Sequence, residues 1–162
     1  MSESVTAKRP LTNRQSQSTK TMFKKILVGY DGSKGGKAAL GQAAALARES
    51  KAELTALWVR EPLPRHSDLP GEYEEETEAA DEYFKARRKE IEDAAARHGI
   101  AIRCETRRGH AAKTILKFAD EGNHDLIVVG HSDHSELWGR LLGDTADRIS
   151  DHARCSVLIV KG

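Results

Sequence analysis

Apolar positions in this chain follow two rhythms that alternate along its length. Phe23–Tyr30, Glu53–Val59, Ile100–Thr106, Leu126–Val129 and Ser156–Val160 are short segments rich in Ile, Leu and Val, as strands are. Leu126–Val129 is apolar at every position, as a strand covered on both faces of a parallel sheet should be. Ile100–Thr106 instead carries alternating charge, which suits a sheet edge. Between the strands the apolar spacing lengthens to three and four residues. Ala39, Leu40, Ala43, Ala44, Leu46 and Ala47 predict a helix from near Lys34 to Ser50, with small residues that allow close approach to a sheet. Tyr73, Ala80, Phe84, Ile91 and Ala95 predict a stripe on a second helix over Glu72–His98, ended by Gly99. Ile115, Leu116 and Ala119 predict a third, entered through Gly109 and His110, and Leu142, Ala146 and Ile149 a fourth. Strands alternating with helices imply right-handed crossovers and a parallel sheet with helices on both faces.

Two segments fall outside this alternation. Residues 1–21 are rich in Ser, Thr, Lys, Arg and Gln and almost lack large apolar groups, so burial cannot offset the entropy of ordering them. They are expected to be a disordered basic arm ahead of a single domain over 22–162. Arg60 to Gly71 holds three of the four prolines and reads as a surface loop.

Candidate chemistry gathers between Asp125 and Thr145. The strand Leu126–Val129 runs into Gly130, at the carboxyl edge of the sheet where α/β proteins bind ligands, and Gly143 stands where the last helix begins. A helix amino terminus offers unpaired N–H groups and a positive partial charge, so an anion held between Gly130 and Gly143 is stabilised from both sides. At the end of the first strand, Asp31-Gly-Ser33 forms a turn that caps the following helix.

With these motifs in view, the chain resembles the universal stress protein family over about residues 22 to 161. The resemblance implies an α/β fold with one Rossmann-like domain, whose five-stranded parallel sheet has the order 3-2-1-4-5 and helices on both faces. The switch point between the first and fourth strands then brings Asp31 beside Gly130. In the nucleotide-binding branch of that family the loop reads Gly, two residues, Gly, nine residues, Gly, then Ser or Thr. Gly130 and Gly143 match its first and third glycines, Asp133 replaces the second, and Asp144 replaces the hydroxyl residue. The resemblance further implies that Asp31 contacts the adenosine part of a ligand. Trp58 and Val59 would lie against the adenine, and the backbone N–H groups of Asp144 and Thr145 would face phosphate. Read from the residues alone, Trp58 is a packing residue. The implied cofactor is ATP or another adenine nucleotide with Mg, and the implied assembly is a homodimer through antiparallel pairing of Ser156–Val160.

The two aspartates change the electrostatics of that loop. A carboxylate about 4 Å from a phosphate charge costs on the order of 4 kcal/mol at an effective dielectric of roughly 20. Magnesium between the two reverses the sign, and Thr145 or Ser132 can stand in for the missing hydroxyl. The reading is therefore a stress-response or regulatory protein that binds adenine nucleotide weakly or not at all, with a nucleotide-free protein-interaction module as the alternative. His131, Asp133 and His134, with Asp144 and His110, also resemble an oxygen and imidazole metal site, a further alternative. Neither a Ser-His-Asp nor a paired-carboxylate arrangement is identifiable, so no catalysis is assigned.

Composition narrows the partners. Twenty-six basic and 25 acidic residues leave a formal charge of +1, and aromatics are 5%, so no global field draws nucleic acid or anionic membrane. No apolar run approaches the roughly 20 residues of a membrane span, nor do the first 21 residues have the apolar core of a signal peptide, so a cytoplasmic location is expected. Cys104 and Cys155 are expected to be reduced thiols near opposite edges of the sheet. Protein partners beyond a second copy are not specified by the sequence.

Overall fold

The computed structural model describes residues 22–61, 72–131 and 144–162, with residues 72–78 and 144 described by their backbone alone. Strands β1 (Lys25–Gly29), β2 (Glu53–Arg60), β3 (Ile102–Arg108), β4 (Leu126–Gly130) and β5 (Ser156–Val160) alternate with helices α1 (Lys34–Ser50), α2 (Glu72–His98), α3 (Ala111–Glu121) and α4 (Asp144–His152). The strands form one five-stranded sheet in the order β3-β2-β1-β4-β5, and each neighbouring pair is parallel.

Strand alternation sorts the apolar groups into two cores. Ile26, Val28 and Tyr30 of the first strand segment, with Leu54, Ala56, Leu126 and Val128, pack beneath α1 and the Ile91–Ala94 end of α2. Leu27, Leu57, Ile127 and Val129 point the other way, onto Ala112, Ile115 and Ala119 of α3 and Ala146 and Ile149 of α4. α1 lies close to the sheet because Ala39, Ala43, Ala44 and Ala47 present only methyl groups to it. The predicted α2 stripe needs one change: Ala94 is buried, whereas Ala95 is only half-buried.

β3 begins two residues later than the sequence predicts, at Ile102 rather than Ile100. The N–H groups of Gly99 and Ile100 fold back onto the carbonyls of Ala96 and Ala95, and Gly99 takes a φ of 64°. That closure of α2 uses the residues that would have opened the strand. β2 runs one residue further than predicted, through Arg60, which pairs with Arg108. Cys104 on β3 and Cys155 beside β5 are free thiols at opposite edges of the sheet, and burial raises the pKa of both.

β1 and β4 are stitched together at their amino ends. The Asp125 carboxylate accepts from the N–H groups of Lys24 (2.8 Å) and Lys25 (3.0 Å), and the Asp125 N–H donates to the Lys25 carbonyl at 3.0 Å. Pairing between β1 and β4 ends at Val28–Val128, at the carboxyl edge of the sheet, and the chain leaves β1 for α1. The switch point between the two strands is the edge at which α/β sheets bind ligands.

Candidate ligand site at the carboxyl edge

The site is built where β1 hands the chain to α1. Tyr30 is buried, and its N–H still bonds across to the Leu57 carbonyl at 3.0 Å, so regular sheet pairing persists to the last residue before the turn. At Asp31 the pairing stops and the side chain takes over. Its Oδ1 accepts from the Ser33 N–H (2.9 Å) and from the Ser33 hydroxyl (2.6 Å), while Ser33 Oγ accepts from the Gly36 N–H at 3.0 Å. Asp31 thus forms an Asx turn and Ser33 the N-cap of α1, and the turn is closed by Gly32 at φ 79°. The second carboxylate oxygen of Asp31 has no hydrogen-bond partner among the described residues.

Two glycines overlooked by periodicity let the exit of β4 close onto the start of α1. Gly35 and Gly36 open α1, a position where glycine costs helix stability, and both are buried. A β-carbon on Gly35 would collide with the His131 carbonyl, and one on Gly36 would come within 2.5 Å of Asp31 Oδ1. From the other side, a β-carbon on Gly130 would collide with the Gly35 carbonyl group and reach 2.6 Å from the Gly36 N–H. Backbone therefore lies directly on backbone, and the exit of β4 crosses the first turn of α1 with no side chain between them. His131 continues the contact by donating its N–H to the Val160 carbonyl at 2.7 Å, which ties this exit to β5.

The sequence-assigned residues fall into three groups. Asp31 and Gly130 are brought to one place, linked through Gly36 and Gly35. Trp58 and Val59, adjacent on β2, necessarily point to opposite faces. Trp58 goes to the α2 side, where its ring stacks on Phe84 (5.6 Å, 12°) and lies 5.2 Å from the Tyr83 ring. Val59 packs with the α3 and α4 core. The two therefore do not line a single surface, and Trp58 is engaged as a packing residue. Thr145 is exposed in the first turn of α4. Asp133, Gly143 and the side chain of Asp144 lie outside the described residues, as do Ser132 and His134.

For the metal alternative, His110 is the exposed N-cap of α3 and makes no side-chain capping bond. Among the described residues there is no cluster of three or more His, Cys, Asp or Glu side chains that could hold a metal ion.

A second polar group lies behind the Asp31 turn. The Tyr30 hydroxyl donates to Glu90 on α2, and Glu90 also faces Arg87 (3.2 Å) and Lys37 (3.6 Å). Burial, reinforced by the bond to Glu90, pushes the Tyr30 phenol well above its usual pKa, so it stays protonated as a donor. Tyr83 donates its hydroxyl to the Asp31 carbonyl, and Arg87 Nη1 reaches the Gly32 carbonyl at 3.5 Å. Sequence periodicity marked Phe84 on this helix; Tyr83, Arg87 and Glu90 were not marked, because polar residues beside an apolar stripe look like solvated helix surface.

Comparison with known proteins agrees with this fold. The universal stress protein family model matches residues 22–161, nearly the whole chain. The chain belongs to the universal stress protein family. A universal stress protein of Methanocaldococcus jannaschii is 34% identical over 142 residues, which cover 86% of this chain and 83% of that one. The solved structure of UspA from Lactobacillus plantarum superposes with a TM-score of 0.73 at 28% identity, over 85% of this chain and 97% of that one. A universal stress protein solved in complex with cAMP superposes at 0.68, also at 28% identity and over the same shares. No described helix of this universal stress protein is long and apolar enough to cross a membrane.

Proposed function

We propose that this universal stress protein is a non-catalytic regulatory module that binds an adenine nucleotide weakly at the carboxyl edge of its sheet. The observation that carries the reading is the junction of Asp31, Gly36, Gly35 and Gly130, where backbone meets backbone at the switch point. Backbone packed on backbone there fixes the exit of β4 beside the Asp31 turn, and Asp31, which is exposed, keeps one carboxylate oxygen available for a ribose hydroxyl. The phosphates would extend toward Gly130, Gly143 and the N–H groups of Asp144 and Thr145, with Asp133 and Asp144 opposing them unless Mg intervenes. The cAMP bound by a related structure supports the adenine class of ligand.

Calorimetric titration of ATP and cAMP, with and without magnesium, tests this reading. The expected dissociation constant is on the order of 100 µM for wild type, with binding lost in Asp31→Ala. No heat of binding from either nucleotide, and no adenine-absorbing compound released on heat denaturation, would instead assign the protein to the nucleotide-free interaction class.

Assembly belongs to the same proposal. Among the described residues β5 pairs with β4 alone, and Val157, Leu158, Ile159 and Val160 remain half-buried at that edge of the sheet. Pairing with a second copy covers those groups and satisfies the free strand edge. Light scattering is expected to give a dimer at tens of micromolar, an order-of-magnitude working range.

A further inference from the structure

We infer that Tyr83 and Arg87 of α2, the latter braced by Glu90, are positioning residues, which hold the Asp31–Ser33 turn in its ligand-binding shape by gripping its main-chain carbonyls. The inference rests on the nucleotide reading for its functional consequence, although the grip itself is visible without any ligand. Tyr83 donates to the carbonyl of Asp31, and Arg87 points Nη1 at the carbonyl of Gly32. These are consecutive carbonyls of the turn that aims the Asp31 carboxylate. With Asp31 Oδ1 tied to Ser33 on the inner side, the turn is held from both directions.

Arg87 is itself held through both terminal nitrogens and over an aromatic ring. Its side chain is 20% exposed, Nη2 pairs with Glu90 at 3.2 Å, and the guanidinium carbon sits over the Tyr83 ring, 4.8 Å from its centre. Glu90 is anchored in turn by the buried Tyr30 hydroxyl. A β-carbon on Gly32 would come within 2.6 Å of Arg87 Cδ, so the side chain is packed onto the turn as well as bonded to it. Lysine cannot reproduce this arrangement, because only a planar fork reaches Glu90 and Gly32 together while stacking on tyrosine.

Simple docking of α2 onto the sheet does not account for the contacts. Docking is already provided by Ile91 (3% exposed) and Ala94 (1%), which lie further along the helix in the apolar core. The polar row is directed elsewhere, at main-chain acceptors of the one turn that carries the candidate ligand carboxylate. Among the described residues the buried Nε of Arg87 has no hydrogen-bond partner, a cost that an arginine used only for docking would avoid by turning outward to water.

Three variants test the grip: Tyr83→Phe, which keeps the ring and removes only the hydroxyl, Arg87→Lys, and the pair combined. NMR amide exchange should show the Ser33 N–H, which bonds to Asp31 Oδ1, exchanging about tenfold faster in the double variant. Amides of Val28 and Val128 should be unchanged. ATP affinity should fall about tenfold while inorganic tripolyphosphate, which has no ribose for Asp31, binds as in wild type. Unchanged Ser33 exchange in a folded double variant would overturn the inference and leave the row as a docking contact. So would an equal loss of affinity for ATP and tripolyphosphate. If wild type binds no nucleotide yet Ser33 exchange accelerates, the grip stands and the nucleotide reading falls.

Discussion

Two aspartates sit at opposite ends of the crossing between β1 and β4, and they do different work. Asp125, at the amino edge, uses both carboxylate oxygens across strands, each accepting a main-chain N–H from the start of β1. Asp31, at the carboxyl edge, uses one oxygen inside its own turn and keeps the other uncommitted among the described residues. The amino edge is closed by side chain on backbone and the carboxyl edge by backbone on backbone, through Gly35, Gly36 and Gly130. A carboxylate fully spent on the fold is a staple. One half spent, beside glycine and a helix amino terminus, is available to a ligand.

The largest effect should come from filling the backbone contact. Gly130→Ala places a methyl group against the main chain of Gly35, which cannot rotate away as a side chain would. A loss of about 3 kcal/mol in urea unfolding is expected, at the upper end for overpacking. A near-neutral result would mean that the two backbones are not in contact. Asp125→Ala comes next, because it leaves the N–H groups of Lys24 and Lys25 without their acceptor. A cost of about 2 kcal/mol is expected, with nucleotide affinity unchanged, and a loss of binding would break the division between the two edges.

Ser33→Ala removes the oxygen that caps the Gly36 N–H, and should cost about 1 kcal/mol. Because the Ser33 hydroxyl also donates to Asp31, this variant should weaken nucleotide binding as well. The smallest effect is a pH dependence at the amino edge. Burial beside Phe118 lowers the pKa of the His124 imidazole, with Lys25 adding to the shift, and contact with the Ala119 carbonyl opposes it. A depressed folded-state pKa favours the neutral ring, so its stabilising contribution is complete above the unfolded value of about 6.5 and lost as pH falls through the folded value. Between pH 7.5 and 5 the melting temperature of wild type should therefore fall more than that of His124→Gln. Parallel pH profiles would show that the ring is solvated in the native state.

Much of this architecture was legible from hydrophobic rhythm alone. Leu126–Val129 is apolar at each position because helices cover both of its faces, and Ile102–Arg108 alternates in character because it borders solvent. The site was harder to read. Asp31 and Gly130 stand out through the family motif, but Gly35 and Gly36 look like poor helix formers until the chain is folded. Two adjacent glycines in the first turn of a helix, where each costs stability, are nevertheless a signal of close backbone approach. Asp125 opens the key stretch, yet its partners lie about one hundred residues away in β1, a separation no local pattern spans. The pairing of Trp58 with Val59 shows the opposite hazard, since neighbours in sequence face away from each other on a strand.

The central claim is that the carboxyl edge is a nucleotide site weakened by charge at Asp133 and Asp144, and one titration tests it most directly. ATP with magnesium is titrated into wild type and into the double variant Asp133→Gly, Asp144→Ser at low and high salt. At about 1.4 kcal/mol for each carboxylate after screening, the double variant should bind about a hundredfold tighter, with the gain shrinking as salt rises. Wild type already binding at low micromolar affinity, with the double variant no tighter, would contradict the account and make the carboxylates ligands for the magnesium ion.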